Sequence, residues 1–191
     1  MFTKLTITES HLRLLTQLTT GDKYLREAQR GAGVSPRTAQ VVLEDLELKG
    51  AVTAQTRGKI KIYTAVDKHY LVLAEQYKLL AFMEKHTLIR AVIEKIDEQI
   101  TGVAIIYGSY AKETNTKKSD LDIIIIGSYD KKINDIAKAY GIELDIKHRK
   151  SFGKTPDTIL KEVIKDHIVL KGVEEYVRWQ LTIGANAKSL S

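Results

Sequence analysis

The chain has no cysteine, so neither a disulfide nor a thiolate metal site is open to it. That fits a reducing compartment, and the expected location is cytoplasmic. Proline is nearly absent, with two in 191 residues, so regular elements can run with little interruption. No apolar run approaches the roughly 20 residues that a bilayer-spanning helix needs, and no membrane partner is expected. The opening, MFTKLTITESHLRLL, has neither a long apolar core nor a small-residue cleavage site, which predicts no signal peptide. No internal repeat is found. The net charge of +6 is uneven: residues 1–66 hold ten Lys and Arg against six acids, the rest twenty against eighteen. A basic excess on a short segment suggests phosphate partners, although a lysine-rich soluble surface gives the same count.

Glu9 to Leu18 reads as a short helix, because Leu12, Leu15 and Leu18 recur on one face. Gly21-Asp22 ends it, and Lys23 to about Arg30 reads as a second helix closed by Gly31-Ala32-Gly33. Ser35-Pro36 marks a third start: serine caps free amides of a first turn, and proline suits the first helical position. Ala39, Val42, Leu43 and Leu46 fall at i, i+3, i+4 and i+7, a buried stripe, and Gly50 follows its end. Two β-like segments, Ala51–Thr56 and Ile60–Val66, flank Arg57-Gly58-Lys59, where the glycine suits a hairpin turn.

Three helices followed by a hairpin tipped with Arg-Gly-Lys resemble the winged helix-turn-helix fold over about residues 5–66, most clearly in VSPRTAQVVLEDLELKGA. The resemblance implies DNA as a partner, with the third helix in the major groove and the wing on the flanking backbone or minor groove. It implies that Ser35, Arg37, Thr38 and Gln40 face bases or phosphates and that Arg57 and Lys59 sit on the wing. Glu44, Asp45 and Glu47 are expected to repel phosphates and confine contact to the first two turns. The same fold also serves as a dimerisation or protein-docking module.

Asp67 to Gln99 has no proline and no glycine. Leu71, Ala74, Tyr77 and Leu80-Ala81, then Ile89, Val92, Ile93 and Ile96, keep helical spacing. Two helices or one bent helix are predicted, with a break near His86-Thr87. The first half is apolar enough to pair with a second copy, and a homodimer is expected, matching two DNA half-sites; packing two domains together is the alternative use. His69 and His86 read as surface or packing residues. The expected organisation is 1–66, a winged helix; 67–99, a helical connector; and 100–191, a second domain.

Val103 to Tyr107 is a strand candidate ending at Gly108-Ser109. Ten residues later, Asp120-Leu121-Asp122 leads into four isoleucines, Ile123 to Ile126, a β-branched run that reads as a buried strand ending at Gly127. Side chains alternate along a strand, so Asp120 and Asp122 are expected on one side. Paired carboxylates raise each other's pKa and favour a cation; oxygen ligands suit Mg2+ or Mn2+. The Gly-Ser turn is expected to offer free backbone N–H groups and a hydroxyl to phosphate oxygens, with glycine allowing close approach. The intervening YAKETNTKKS holds Lys112, Lys117 and Lys118, suited to balance triphosphate charge. A third acid is expected in Gly141-Ile142-Glu143-Leu144-Asp145-Ile146. Asp145, held between two strand hydrophobes, is preferred, and Glu143 is the alternative.

Gly108-Ser109, ten residues, Asp120-x-Asp122, then the acid of Leu144-Asp145-Ile146 resemble the polymerase-β nucleotidyltransferase superfamily. Within it they are similar to the minimal nucleotidyltransferases of prokaryotes, over about residues 87–180. The resemblance implies a C-terminal α+β domain, a mixed sheet flanked by helices, in an α/β chain of two domains. It implies Mg2+ or Mn2+ held by the catalytic acids Asp120, Asp122 and Asp145. It implies a nucleoside triphosphate, ATP first, bound by Gly108, Ser109, Lys112, Lys118 and Ser119. Its nucleotidyl group would pass to an acceptor hydroxyl with loss of pyrophosphate. Minimal nucleotidyltransferases are frequently antitoxins that bind, and in some cases modify with AMP, a HEPN ribonuclease toxin, so such a toxin or another protein is an implied acceptor. Three other readings stay open: a transcriptional regulator that only senses nucleotide, a small-molecule nucleotidyltransferase, and a non-catalytic protein-binding module.

Pro156 to Asp166 reads as a helix, with Ile159, Leu160, Val163 and Ile164 spaced for burial. Ile168-Val169-Leu170 reads as a short strand and Glu174 to about Leu181 as a last helix, with Trp179 packing rather than stacking on a base. The closing GANAKSLS is expected to fray. Lys147, His148, Arg149, Lys150 and Lys154 form a basic cluster suited to phosphate or an acidic acceptor, or a solvated charge run.

Overall fold

The computed structural model describes residues 6–116 and 118–189. Lys117, one of the lysines expected near a triphosphate, lies outside the described residues. The chain forms two compact units that part between Tyr77 and Lys78.

The first unit runs α1 (Glu9–Leu18), β1 (Lys23–Tyr24), α2 (Leu25–Ala32), α3 (Pro36–Leu48), β2 (Val52–Arg57) and β3 (Ile60–Ala65). Leu14, Leu15 and Leu18 of α1 bury with Ala39, Leu43 and Leu46 of α3. Each such leucine stabilises the fold by about 1.5–3 kcal/mol relative to an exposed one. Ser35 caps α3 by accepting the Thr38 N–H at 3.0 Å, and Pro36 is its first residue. The second helix starts later than its pattern predicts. Lys23 and Tyr24 instead pair antiparallel with Tyr63 and Ile62, making a sheet of order β1-β3-β2. A two-residue strand is too short for alternation to reveal, and only its long-range partner defines it.

His11, which no motif singled out, is buried between α1 and α3. Its Nδ1 accepts the Thr8 N–H at 3.2 Å, so the ring proton sits on Nε2, which donates to Asp45 at 2.8 Å. Lys49 also pairs with Asp45, and these two partners, Lys49 first, hold the Asp45 carboxyl below its usual range. Glu47 pairs with Lys61 at 2.8 Å. Two of the three acids expected to repel phosphates from α3 are therefore paired with lysines within this unit.

The second unit begins inside α4 (Lys68–Lys85), continues as α5 (Thr87–Ile96), and turns through a short 3-10 segment into β4 (Ile100–Ile106). The chain breaks at His86, where expected. Next come α6 (Gly108–Ala111), β5 (Leu121–Tyr129), α7 (Lys132–Ala139), β6 (Leu144–Arg149), α8 (Asp157–Lys165), β7 (Ile168–Lys171) and α9 (Val173–Ser189). The sheet order is β6-β5-β4-β7; β5 and β6 are parallel, joined through α7, and the other pairs are antiparallel. The sheet is thus mixed, as the resemblance implied.

Ile123 to Ile126 are all buried, so β5 is covered on both faces, as an unbroken apolar strand requires. Leu121, Ile123 and Ile125 join the core formed with Ile89, Val92, Ile93 and Ile96 of α5 and Ile133 and Ala137 of α7. The strand does not stop at Gly127 but continues to Tyr129. Gly127 lies opposite Gly102 of β4, and a Cβ on either glycine would collide with the other strand's backbone. Trp179 stacks on Phe152, with ring centroids 4.2 Å apart. The last helix does not end near Leu181 but runs to Ser189; Leu190 and Ser191 lie outside the described residues. Among the described residues no helix is long and apolar enough to cross a membrane.

Candidate active site

The site forms where β4 and β5 end side by side. The Tyr107 N–H donates to the Asp122 carbonyl at 3.1 Å, one step beyond the last strand pair. The next residue, Gly108, has φ +69°, the left-handed region that favours glycine. A Cβ at this position would overlap the Asp122 carboxylate. Glycine is needed twice over here, for the backbone angle and for the carboxylate that lies against the turn. The Ser109 N–H donates to that carboxylate. This amide, expected to be free for phosphate, is used by Asp122.

The neighbouring strand enters in parallel register. The Leu121 N–H donates to the Glu143 carbonyl at 2.8 Å, and this sets Asp122 directly beside Asp145. Asp122 is half-buried. Burial first, then the charge of Asp145, pushes its carboxyl above the ordinary value, with smaller contributions from Glu162 and Asp120; the Ser109 amide opposes them. Tyr107 is 6% exposed. Burial, then Asp122 and Asp145, drives its phenol up to about 12, so it stays protonated in ordinary buffers. Burial leads both shifts, and the excess of negative charge at this corner adds to each.

Part of that excess is met from within. The Lys147 ammonium donates to both Asp145 oxygens, at 3.1 and 2.9 Å. Lys112, expected to face a triphosphate, is paired with Glu162 of α8 at 2.7 Å. That bond raises the Lys112 pKa.

Gly108, Ser109, Asp122 and Asp145 therefore come together. Asp120 precedes the first residue of β5, so strand alternation does not fix its direction. It is exposed and lines, with Lys118, Ser119 and Glu143, a cleft of about 610 Å³ walled by His86 and Tyr110. Among the described residues, no three His, Cys, Asp or Glu side chains converge as a metal-ligand set. Among the described residues the three acids expected around a cation are thus not gathered as one such set. Like charges repel, and Lys147 bonds both oxygens of Asp145. The donors present fit a hard divalent ion: Asp122 and Asp145 supply carboxylate oxygens in register beside the Gly108-Ser109 turn.

Tyr107, Glu162 and the Lys147 contact escaped the sequence reading. Lys147 was within reach of it, since a residue two places along a strand shares the face of Asp145. Glu162 was not, because only the docking of α8 brings it near. In the first unit, Ser35, Arg37, Gln40, Arg57 and Lys59 are exposed and Thr38 half-exposed. The Ser35 and Thr38 hydroxyls lie 2.8 Å apart, and the Gln40 amide donates to Glu44 at 3.0 Å.

Residues 87–179 match the family model of the nucleotidyltransferase domain. A 70-residue stretch is 40% identical to a Methanocaldococcus jannaschii protein named "Putative protein adenylyltransferase MJ1547". The match spans 37% of this chain and 55% of that protein's length. Among solved structures, Sso10a-2, a DNA-binding protein from Sulfolobus solfataricus, overlaps 50% of this chain and 98% of its own, at 19% identity and a TM-score of 0.34.

Proposed function

We propose that the nucleotidyltransferase domain uses a divalent cation to transfer a nucleotidyl group, AMP from ATP first, to a hydroxyl on a protein acceptor. The observation that carries this reading is the register of Asp122 with Asp145 against the Gly108-Ser109 turn. Asp122, Asp145 and the nearby Asp120 would hold the cation, which when bound supplies charge to the triphosphate and lowers the pKa of an attacking hydroxyl. Asp145 orients that hydroxyl and accepts its proton. The Ser109 hydroxyl holds phosphate oxygens, while the Ser109 amide holds Asp122. Tyr107 stays protonated and so adds no further negative charge to the site. A protein acceptor is favoured over a small molecule because the Methanocaldococcus jannaschii relative is named a protein adenylyltransferase.

The test is transfer of label. The protein is incubated with ATP, CTP, GTP or UTP labelled at the α-phosphate, with Mg2+, and with the products of neighbouring genes, a HEPN-type toxin among them if one is encoded there. Label on a protein, lost with chelator and with the Asp120→Asn, Asp122→Asn double variant, supports the proposal. Nucleotide binding without pyrophosphate release would favour a nucleotide-sensing regulator instead.

We further propose that the first unit is a winged helix that binds DNA. Support comes from three helices leading into the β2–β3 hairpin and from the exposure of Arg37, Arg57 and Lys59. Wing lysine and arginine on phosphates make binding salt-dependent, with a slope that falls by about 1 for each contact removed. Arg57→Ala with Lys59→Ala should weaken binding about evenly across sequences and flatten the salt dependence by about 2. Fluorescence anisotropy at several salt concentrations checks this; an unchanged slope would leave the hairpin off the DNA.

A further inference from the structure

On the active face of β6 the order is Asp145, Lys147, Arg149, because side chains two apart share a face. Both Asp145 oxygens are engaged by one ammonium, while Asp145 stands in register beside Asp122. The pair is about two-fifths exposed on each side, 41% for Lys147 and 43% for Asp145. It is therefore formed in contact with water and is easily exchanged. We propose that Lys147 is an internal counter-cation: it holds the Asp145 carboxylate, and a divalent ion must displace it to bind. The inference rests on the reading of Asp122 and Asp145 as metal ligands.

Three features support exchange over a fixed structural bond. Lys147 satisfies the third acid with a single charge where a divalent ion would bring two. The pair lies on the edge strand β6, at the open margin of the sheet, so the ammonium can swing away without disturbing the core. The contact joins residues two apart on one strand face, so side-chain rotation alone can make or break it. Lys147 thus weakens metal binding in the absence of substrate. It becomes available as a free cation once a metal-bound triphosphate arrives with charge to attract it.

Direct Mn2+ titration, followed by electron paramagnetic resonance of the free ion, reads this without any turnover. Lys147→Gln should tighten Mn2+ binding by about three- to tenfold, the range for losing an exposed competing charge in contact with a ligand. Lys147→Arg should restore wild-type or weaker binding, because a guanidinium also grips a carboxylate with two bonds. Arg149→Gln removes the same charge from the same face two residues further on, and should tighten binding far less. Unchanged or weaker Mn2+ binding in Lys147→Gln would overturn the proposal, and so would an equal gain in Arg149→Gln. Failure of the underlying reading looks different: wild type and Asp122→Asn would then bind Mn2+ alike. Circular dichroism of each variant separates a lost fold from a changed site.

Discussion

Asp122→Asn should abolish nucleotidyl transfer yet make the ion-free protein more stable. Loss of a ligand carboxylate that holds charge in the transition state is expected to cost on the order of 4 kcal/mol, about a thousandfold in rate. Stability moves the other way because the folded chain disfavours the Asp122 charge through burial and through Asp145. A carboxyl whose pKa rises on folding gives its stabilising contribution at low pH, where it is protonated in both states. That contribution disappears as pH rises through the folded value, so at neutral pH ionised Asp122 opposes folding. Asparagine removes the opposition. Melting in the presence of chelator should place Asp122→Asn above wild type at pH 7.5, by roughly 2–4 °C for each kcal/mol recovered. The gap should close as pH falls through the Asp122 pKa. A wild type that melts higher at neutral pH without metal would contradict the electrostatic account of this corner.

Gly108→Ala should be as damaging to transfer and, in contrast, destabilising. The backbone angle of +69° strains any residue with a Cβ, and that atom would overlap the carboxylate of Asp122. The strained angle alone costs on the order of 1–2 kcal/mol, and displacement of Asp122 adds to it. Activity should fall at least a hundredfold, since misplacement of a reacting geometry by about 1 Å has that effect. Gly153→Ala is the matched control: its Cβ would enter open space, so neither activity nor melting temperature should change. Near-wild-type transfer by Gly108→Ala would mean that the turn does not hold the substrate. The two variants together separate loss of charge from loss of shape, because one raises stability and the other lowers it.

Much of this site was legible in the sequence, for identifiable reasons. Four consecutive isoleucines have few structural alternatives to a buried strand, and acids at its mouth are conspicuous because burying charge is unfavourable. Ser35-Pro36 fixed the start of α3 through local capping chemistry alone. What escaped notice depended on distant partners. Lys23-Tyr24 is a strand only because β3 lies beside it, and Glu162 joins the site only because α8 packs there. Asp120 shows the limit of periodicity: the two-residue rule governs side chains within a strand, and Asp120 is just outside one. Asp45 and Glu47 show the limit of counting charge, since Lys49 at the end of the same helix pairs with one and Lys61 of β3 with the other.

The central claim is that Asp122 and Asp145, beside the Gly108-Ser109 turn, hold a metal-bound triphosphate. Calorimetric titration of ATP into the protein measures this without knowledge of the acceptor. Binding that requires Mg2+, vanishes with chelator and is lost in Asp122→Asn is the predicted result. ATP binding of equal strength with and without Mg2+, undiminished in Asp122→Asn, would contradict it.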